Sequence, residues 1–196
     1  MKLFFKTEFL EEPKDRDAEV TDLQNWPRIT GLAWVVVTDD GAVVRGFRFK
    51  VKHDVDPPVF PPDVQKIIEE QGHPAKYVID RFMYDVGVCD TLIAHDLKTH
   101  FGTLAAEAIR YGSRAKKRIE NRLCTMDDID EVYADDGRSL SDLYYALFEA
   151  EIDDDLEVMV ALQAEIEIVQ ELITRGIVRT GKVDVEDLVH EIRTMR

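Results

Sequence analysis

The chain has 196 residues, of which 45% are hydrophobic and 33% charged, a composition typical of a folded domain and not of a disordered chain. Its 25 basic and 40 acidic residues give a formal net charge of −15, which repels nucleic acid in general and favours solubility. No apolar run approaches the roughly 20 residues that span a bilayer, and the first residues lack the layout of a signal peptide. We therefore expect a cytoplasmic protein with no membrane partner.

The first third of the sequence predicts three strands. Residues 3–5 form a short apolar run typical of a buried strand, whereas the charged segment 11–22 is predicted to be a loop. Residues 29–38 are rich in β-branched side chains and are followed by Asp-Gly, a dipeptide that favours a hairpin turn into a partner strand at residues 43–51. Four prolines between residues 57 and 62 then interrupt regular structure and mark a connection.

Helical and strand patterns alternate in the rest of the chain. Apolar residues at helical spacing predict helices near residues 78–86, 101–109, 140–147, 159–173 and 185–192. Two short runs predict strands between these helices. TLIA at residues 91–94 lies between the first and second helices, and RLCT at residues 122–125 lies between the second and third. The resulting order β-β-β-α-β-α-β-α-α predicts an α/β fold with a mixed five-stranded sheet and helices on both faces.

Two runs of charge stand out. Residues 127–157 carry thirteen Asp and Glu side chains against one basic residue, and residues 110–122 carry six basic side chains against one acid. Both runs are typical of solvated surface, but the basic run is the only obvious phosphate-attracting patch in the sequence. It is therefore the candidate nucleic-acid-binding surface, and it consists of Arg110, Arg114, Lys116, Lys117, Arg118 and Arg122.

The cysteines and the aromatic residues of the first strands have structural interpretations. Cys89 and Cys124 do not lie at metal-ligand or redox spacing, so we expect them to be reduced and unreactive. The large aromatic side chains are expected to lie in the core and not to form a platform for stacking bases. They are Phe4, Phe5, Trp26 and Trp34.

Five stretches of the sequence, taken in order, share the pattern of one enzyme family. Residues 1–13 (MKLFFKTEFLEEP), 92–101 (LIAHDLKTHF) and 164–172 (AEIEIVQEL) resemble its three motifs, which typically read D-T-E-T-T-G after an apolar strand, I-A-H-N-x-x-F-D and H-x-A-x-x-D-V-E. Residues 22–34 (DLQNWPRITGLAW) and 123–126 (LCTM) are similar to intervening strands. The family is that of the DEDDh (DnaQ-like) 3′–5′ exonucleases, which includes the proofreading ε subunit of bacterial DNA polymerase III.

This resemblance implies a ribonuclease H-like domain at residues 1–178, with residues 179–196 as a C-terminal helical extension. The family uses two Mg²⁺ or Mn²⁺ ions, held by four acids, to activate water and stabilise the leaving oxygen of a phosphodiester. A histidine serves as the general base.

Carried over residue by residue, the family's site is degenerate in this sequence. The first-motif aspartate is Lys6, and the glutamate two residues on is kept as Glu8. The second-motif aspartate is His100. The third-motif aspartate is Glu165 and its histidine is Val160. If the alignment of the third motif is shifted by one residue, Ala164 takes the position of the aspartate and Met159 that of the histidine. Neither side chain could do the chemistry of the family residue.

Lys6 decides the functional interpretation. An ammonium group about 4 Å from a cation is repelled by roughly 4 kcal/mol per unit charge at an effective dielectric near 20, and it cannot supply an oxygen ligand. We therefore predict a catalytically inactive protein without a metal cofactor, in which Lys6 forms an internal ion pair with Glu8 and Glu165. Such a protein would use its fold to bind a protein partner, which the overall acidity favours, or to bind nucleic acid weakly.

Two alternatives remain open at this stage. The first is that the chain is a residual metal-dependent 3′–5′ exonuclease with rearranged ligands. The second is that His95 and His100 form a site for Zn²⁺ or Mn²⁺ together with Glu8 or Asp96.

Overall fold

Six strands and five helices make up the part of the chain that the computed structural model describes, namely residues 1–114, 119, 121–129, 132, 138–153 and 158–177. The strands are β1 (Lys2–Phe9), β2 (Ile29–Val37), β3 (Val43–Lys52), β4 (Gly72–Pro74), β5 (Thr91–Ala94) and β6 (Asn121–Cys124). The helices are α1 (Pro62–Gln71), α2 (Ala75–Val86), α3 (Leu97–Tyr111), α4 (Leu140–Phe148) and α5 (Val158–Thr174).

The strands form one mixed sheet in the order β4-β3-β2-β1-β5-β6. Strands β1, β2 and β3 are antiparallel neighbours, while β5 and β6 run parallel to β1, and β4 runs parallel to β3. The mixed α/β architecture is confirmed, but the sheet has six strands and not five. The additional strand β4 consists of Gly72, His73 and Pro74, which is too short to show alternation and contains two residue types that strands disfavour.

Helices cover both faces of the sheet, as predicted. Leu3 and Phe5 of β1 pack in one core cluster with α2 and α3, whereas Phe4 packs in a second cluster with α5. This alternation places Lys6 and Glu8 on the α5 face, because successive strand residues point to opposite faces. The aromatic residues assigned to the core from the sequence are confirmed there, each with at most 4% of its surface exposed: Phe4, Phe5, Trp26 and Trp34.

Local sequence signals account for several element ends. Asp96 caps the start of α3, where its carboxylate accepts the Thr99 amide, and Gly112 ends that helix with a left-handed φ of 64°. Helix α5 ends at Thr174, immediately before the Arg-Gly pair that favours a stop. The helix predicted at residues 185–192 and the proposed extension at residues 179–196 lie outside the described residues.

Both cysteines are free and buried. Burial raises the pKa of the Cys89 thiol to about 11 and that of the Cys124 thiol to about 12. Neither side chain is therefore a nucleophile at neutral pH.

Candidate functional site

Side chains from β1, α3 and α5, together with His95 after β5, lie close together near the carboxyl end of β1. Lys6 acts electrostatically on His95, which follows β5, on His100 of α3 and on Glu165 of α5. Three residues that the family alignment places at metal-binding positions, Lys6, His100 and Glu165, are therefore brought together by the fold.

Glu8 is not paired with Lys6, and this part of the sequence-based hypothesis is wrong. The Glu8 Oε2 atom lies 2.5 Å from Lys50 Nζ of β3, and both side chains are about one-quarter exposed. Gly31 of β2 lies between Glu8 and Lys50 in the register of the sheet, and a Cβ atom at Gly31 would overlap the Glu8 carboxylate. The glycine therefore allows the glutamate to cross β2 and reach the third strand.

Glu165 is the buried acid of the centre. Only 2% of its surface is exposed, and its Oε1 atom has no hydrogen-bond partner among the described residues. Burial raises the pKa of Glu165 to about 8, although Lys6 and a hydrogen bond from the backbone of His95 each lower it. Burial therefore favours the protonated form of the Glu165 carboxyl group.

His100, which the sequence resemblance aligns with the second-motif aspartate, carries a partly buried imidazole. Its Nδ1 atom lies 2.7 Å from the Thr7 hydroxyl oxygen and accepts the Thr7 amide at 3.4 Å. Burial, and after it the charge of Lys6, lower the pKa of His100 to about 3. Because Nδ1 is an acceptor in this arrangement, the ring proton lies on Nε2.

His95 and Asp96 are both engaged elsewhere. The His95 ring lies 3.0 Å from the Thr125 hydroxyl through Nδ1 and 3.0 Å from the Arg138 carbonyl oxygen through Nε2. Asp96 caps α3 and accepts from Arg16 at 2.5 Å. Within the described residues, no three His, Cys, Asp or Glu side chains are arranged to hold a metal ion. The alternative site built on the two histidines therefore has no geometric support.

The donor set at this centre does not fit two Mg²⁺ or Mn²⁺ ions. Such ions require several carboxylates, but Glu8 is paired with Lys50, and no group of three His, Cys, Asp or Glu side chains in the described residues is placed to hold a metal. Val160, at the general-base position, is half exposed on α5 and carries no titratable group. Lys6 adds a positive charge to this centre.

The basic run of the sequence is only partly accessible. The Arg110 side chain is 11% exposed, and its guanidinium donates to Glu107 and to the carbonyl oxygens of Leu23 and Trp26. Arg110 is thus a structural residue, which corrects its assignment as a phosphate contact. Arg114 is exposed and Arg122 is half-buried. The three central members of the run, Lys116, Lys117 and Arg118, lie outside the described residues.

Strand β3 carries a second basic surface that the sequence analysis missed. Arg48, Lys50 and Lys52 alternate with Phe47, Phe49 and Val51, so the cations share one face of the strand. That is the α5 face, because a Cβ atom at Gly46 would meet Met159 of α5. The register places Arg48 in line with Lys6, and Lys50 in line with Glu8. We call Lys6, Arg48, Lys50 and Lys52 the basic stripe. Its signal in the sequence was the alternation of apolar and basic residues over residues 47–52 (FRFKVK).

None of the helices in the described part of the chain has the length and apolarity that a bilayer crossing needs. No protein-family model matches the sequence, and no curated protein sequence matches it.

Solved structures of exonuclease I share the fold. The E. coli enzyme in complex with a dT13 oligonucleotide superposes with a TM-score of 0.64 at 14% identity, over 90% of this chain and 41% of that chain. The zinc-bound E. coli exonuclease I–ssDNA complex gives 0.60 at 13% identity, over 89% and 40%. The moderately thermophilic exonuclease I from Methylocaldum szegediense gives 0.56 at 13% identity, also over 89% and 40%.

The chain therefore spans about two-fifths of the length of the exonuclease I chains that it matches. At these identities the likeness concerns the fold alone, and it supports the ribonuclease H-like assignment. The resemblance to the proofreading ε subunit stays a prediction. The chain has the mixed α/β fold of the matching region of exonuclease I.

Proposed function

We propose that the chain is a catalytically inactive protein of the 3′–5′ exonuclease fold that acts as a binding module. The observation that carries this proposal is the state of its two remaining acids. Glu8 is paired with Lys50, and Glu165 is buried next to Lys6. Neither acid is free to hold a metal, and the position of the general base is occupied by Val160.

The basic stripe supports weak binding of single-stranded nucleic acid on the α5 face of the sheet. Exonuclease I has been crystallised with a dT13 oligonucleotide, and its matching region has this fold. Lys52 is exposed and has no ion-pair partner within the described residues, whereas Lys50 is paired with Glu8. Cations spaced two residues apart on a strand lie about 6.6 Å from one another, close to the spacing of successive phosphates in an extended single strand, so a bound strand would have to compete with Glu8 for Lys50. The net charge of −15 opposes this binding, so we expect it to be weak at physiological salt.

The experiment is a nuclease assay on single-stranded DNA and RNA with Mg²⁺ and with Mn²⁺. The wild type is compared with the triple variant Lys6→Asp, His100→Asp, Val160→His, which restores three family residues. We expect no metal-dependent release of nucleotides from the wild type. Wild-type cleavage that Glu8→Gln abolishes would instead establish the alternative, a residual exonuclease with rearranged ligands.

A further inference from the structure

A cavity of about 480 Å³ lies between loops that flank β2 and β3. Its volume is within the range of pockets that take a small ligand or the side chains of a peptide. The walls come from residues 10–14, 23–28 and 56–60, and Arg110 of α3 contributes to the lining. We call this cavity the loop pocket.

One buried carboxylate preorganises the loop pocket. Glu107 is fully buried and accepts from Arg28 Nε at 2.7 Å and from Arg110 Nη1 at 3.1 Å. The two guanidinium groups also donate to backbone carbonyl oxygens in two of the three walls. Because these bonds already hold the walls in place, binding of a ligand would cost little conformational entropy in the walls. The accepting carbonyls belong to Leu23, Trp26, Val55 and Asp56.

The exposed charge at the rim is negative. Arg28 and Arg110 share the one Glu107 carboxylate, which leaves one positive charge at the base of the pocket, but their side chains are only 12% and 11% exposed. The exposed acids of the lining are Glu11, Glu12 and Asp56, and none of them has an ion pair within the described residues. Lys14 is the one further cation of the lining. The rim therefore favours a cationic ligand and disfavours phosphate groups.

The rim also exposes apolar side chains. Val59 is 98% exposed and Leu10 is 49% exposed, and both line the pocket. Val59 lies in a segment bounded by prolines at positions 57, 58, 61 and 62, whose fixed φ angles limit the conformational entropy that docking would cost. A pocket whose rim exposes both apolar side chains and acids matches a ligand that combines an apolar group with positive charges.

We propose that the loop pocket binds a segment of a partner protein in which an apolar anchor side chain is flanked by Lys or Arg residues. This site shares no residue with the degenerate centre, so the inference does not depend on the loss of nuclease activity. A second copy of this chain is disfavoured as the occupant because each copy carries a net charge of −15. Single-stranded nucleic acid is disfavoured by the rim acids.

The test measures binding of fluorescein-labelled probe peptides to the full chain by fluorescence anisotropy at low and at physiological salt. The probes are KKLWKK, the charge-reversed EELWEE and the anchor-free KKSSKK. The rim variant is Glu11→Lys with Glu12→Lys, the anchor variant is Val59→Ser, and the control is Glu69→Lys with Glu70→Lys on the exposed face of α1.

We expect KKLWKK to bind more tightly than both other probes. The rim variant should weaken that binding about tenfold or more, equivalent to about 1.4 kcal/mol, and Val59→Ser should weaken it severalfold. The control should match the wild type. The proposal is overturned if KKSSKK binds as well as KKLWKK, if the rim variant and the control behave alike, if a dT13 oligonucleotide displaces the peptide, or if light scattering shows that KKLWKK competes with a dimer of this chain.

Discussion

Lys50 Nζ lies 2.5 Å from Glu8 Oε2, and the bond crosses the intervening strand at Gly31. Glu8 is the one site residue identical to the family pattern. Its carboxylate is nevertheless held by a cation two strands away and not by Lys6, its neighbour on β1. The ion pair thus removes the first-strand acid from the centre, while burial and Lys6 determine the state of Glu165.

The first prediction concerns the glycine that permits this pair. Gly31→Ala should displace the Glu8 carboxylate and lower the free energy of unfolding by about 1–3 kcal/mol, the usual cost of overpacking a strand interior. Urea unfolding measures the change. Gly46→Ala is the matched control, since its added Cβ atom would meet no atom closer than 3.5 Å. Equal stabilities for the two variants would mean that Glu8 does not lie across β2.

The second prediction concerns the pH dependence of stability through Glu165. The pKa of Glu165 is about 8 in the folded chain against an ordinary value of 4.5, so its contribution is fully present below pH 4.5 and is lost as the pH rises to about 8. Glu165→Gln has no carboxyl group to ionise, so its stability does not fall in this way as the pH rises. The unfolding free energy of the variant should therefore rise relative to that of the wild type by about 1.4 kcal/mol per pH unit between about pH 5 and pH 8.

The pH slope separates this effect from the cost of burying an amide, which does not vary with pH. Urea unfolding at several pH values measures it, and Glu70→Gln on the exposed face of α1 is the control. A difference between Glu165→Gln and the wild type that is the same at pH 5 and at pH 8 would show that Glu165 is ionised in the folded chain.

The third prediction assigns weak nucleic-acid binding to the basic stripe. Lys52→Glu should reduce the affinity for a labelled dT13 oligonucleotide severalfold, because it removes one phosphate contact and adds a repulsive charge. The log–log salt slope should become shallower by about 0.7 per lost contact. Fluorescence anisotropy measures both, with Lys76→Glu on α2, on the opposite face of the sheet, as the control.

The competing source of affinity is the basic run of the sequence. If Lys52→Glu binds like the wild type while the triple reversal of Lys116, Lys117 and Arg118 loses binding, then the run carries the affinity and the basic stripe does not.

Much of the fold could be predicted because its elements carry strong periodic signals. The apolar runs of β1 and β2, the Asp-Gly turn and the helical spacing of α2, α3 and α5 each indicated the element that the structure contains. Strand β4 and helix α1 were missed for local reasons. The strand consists of three residues including Gly and Pro, and the helix begins at Pro62, directly after a proline-rich segment that indicated only a connection.

The site was predictable in its positions but not in its pairing. Motif order placed Lys6, His100 and Glu165 at one centre, since the carboxyl end of β1 meets the start of α3 and one face of α5. The partner of Glu8 depends on the register between β1 and β3 and on the missing side chain at Gly31. Neither could be obtained from sequence spacing, because Lys50 is 42 residues away along the chain.

Calorimetric titration with Mn²⁺ at neutral pH tests most directly whether this centre has lost its metals. We expect the wild type to show no stoichiometric binding in the micromolar range, because Glu8 is paired with Lys50 and Lys6 repels cations. The variant Lys6→Asp with His100→Asp, which removes that repulsion and adds two carboxylates, should bind Mn²⁺ measurably. Stoichiometric micromolar binding to the wild type that Glu8→Gln or Glu165→Gln abolishes would contradict this account of the centre.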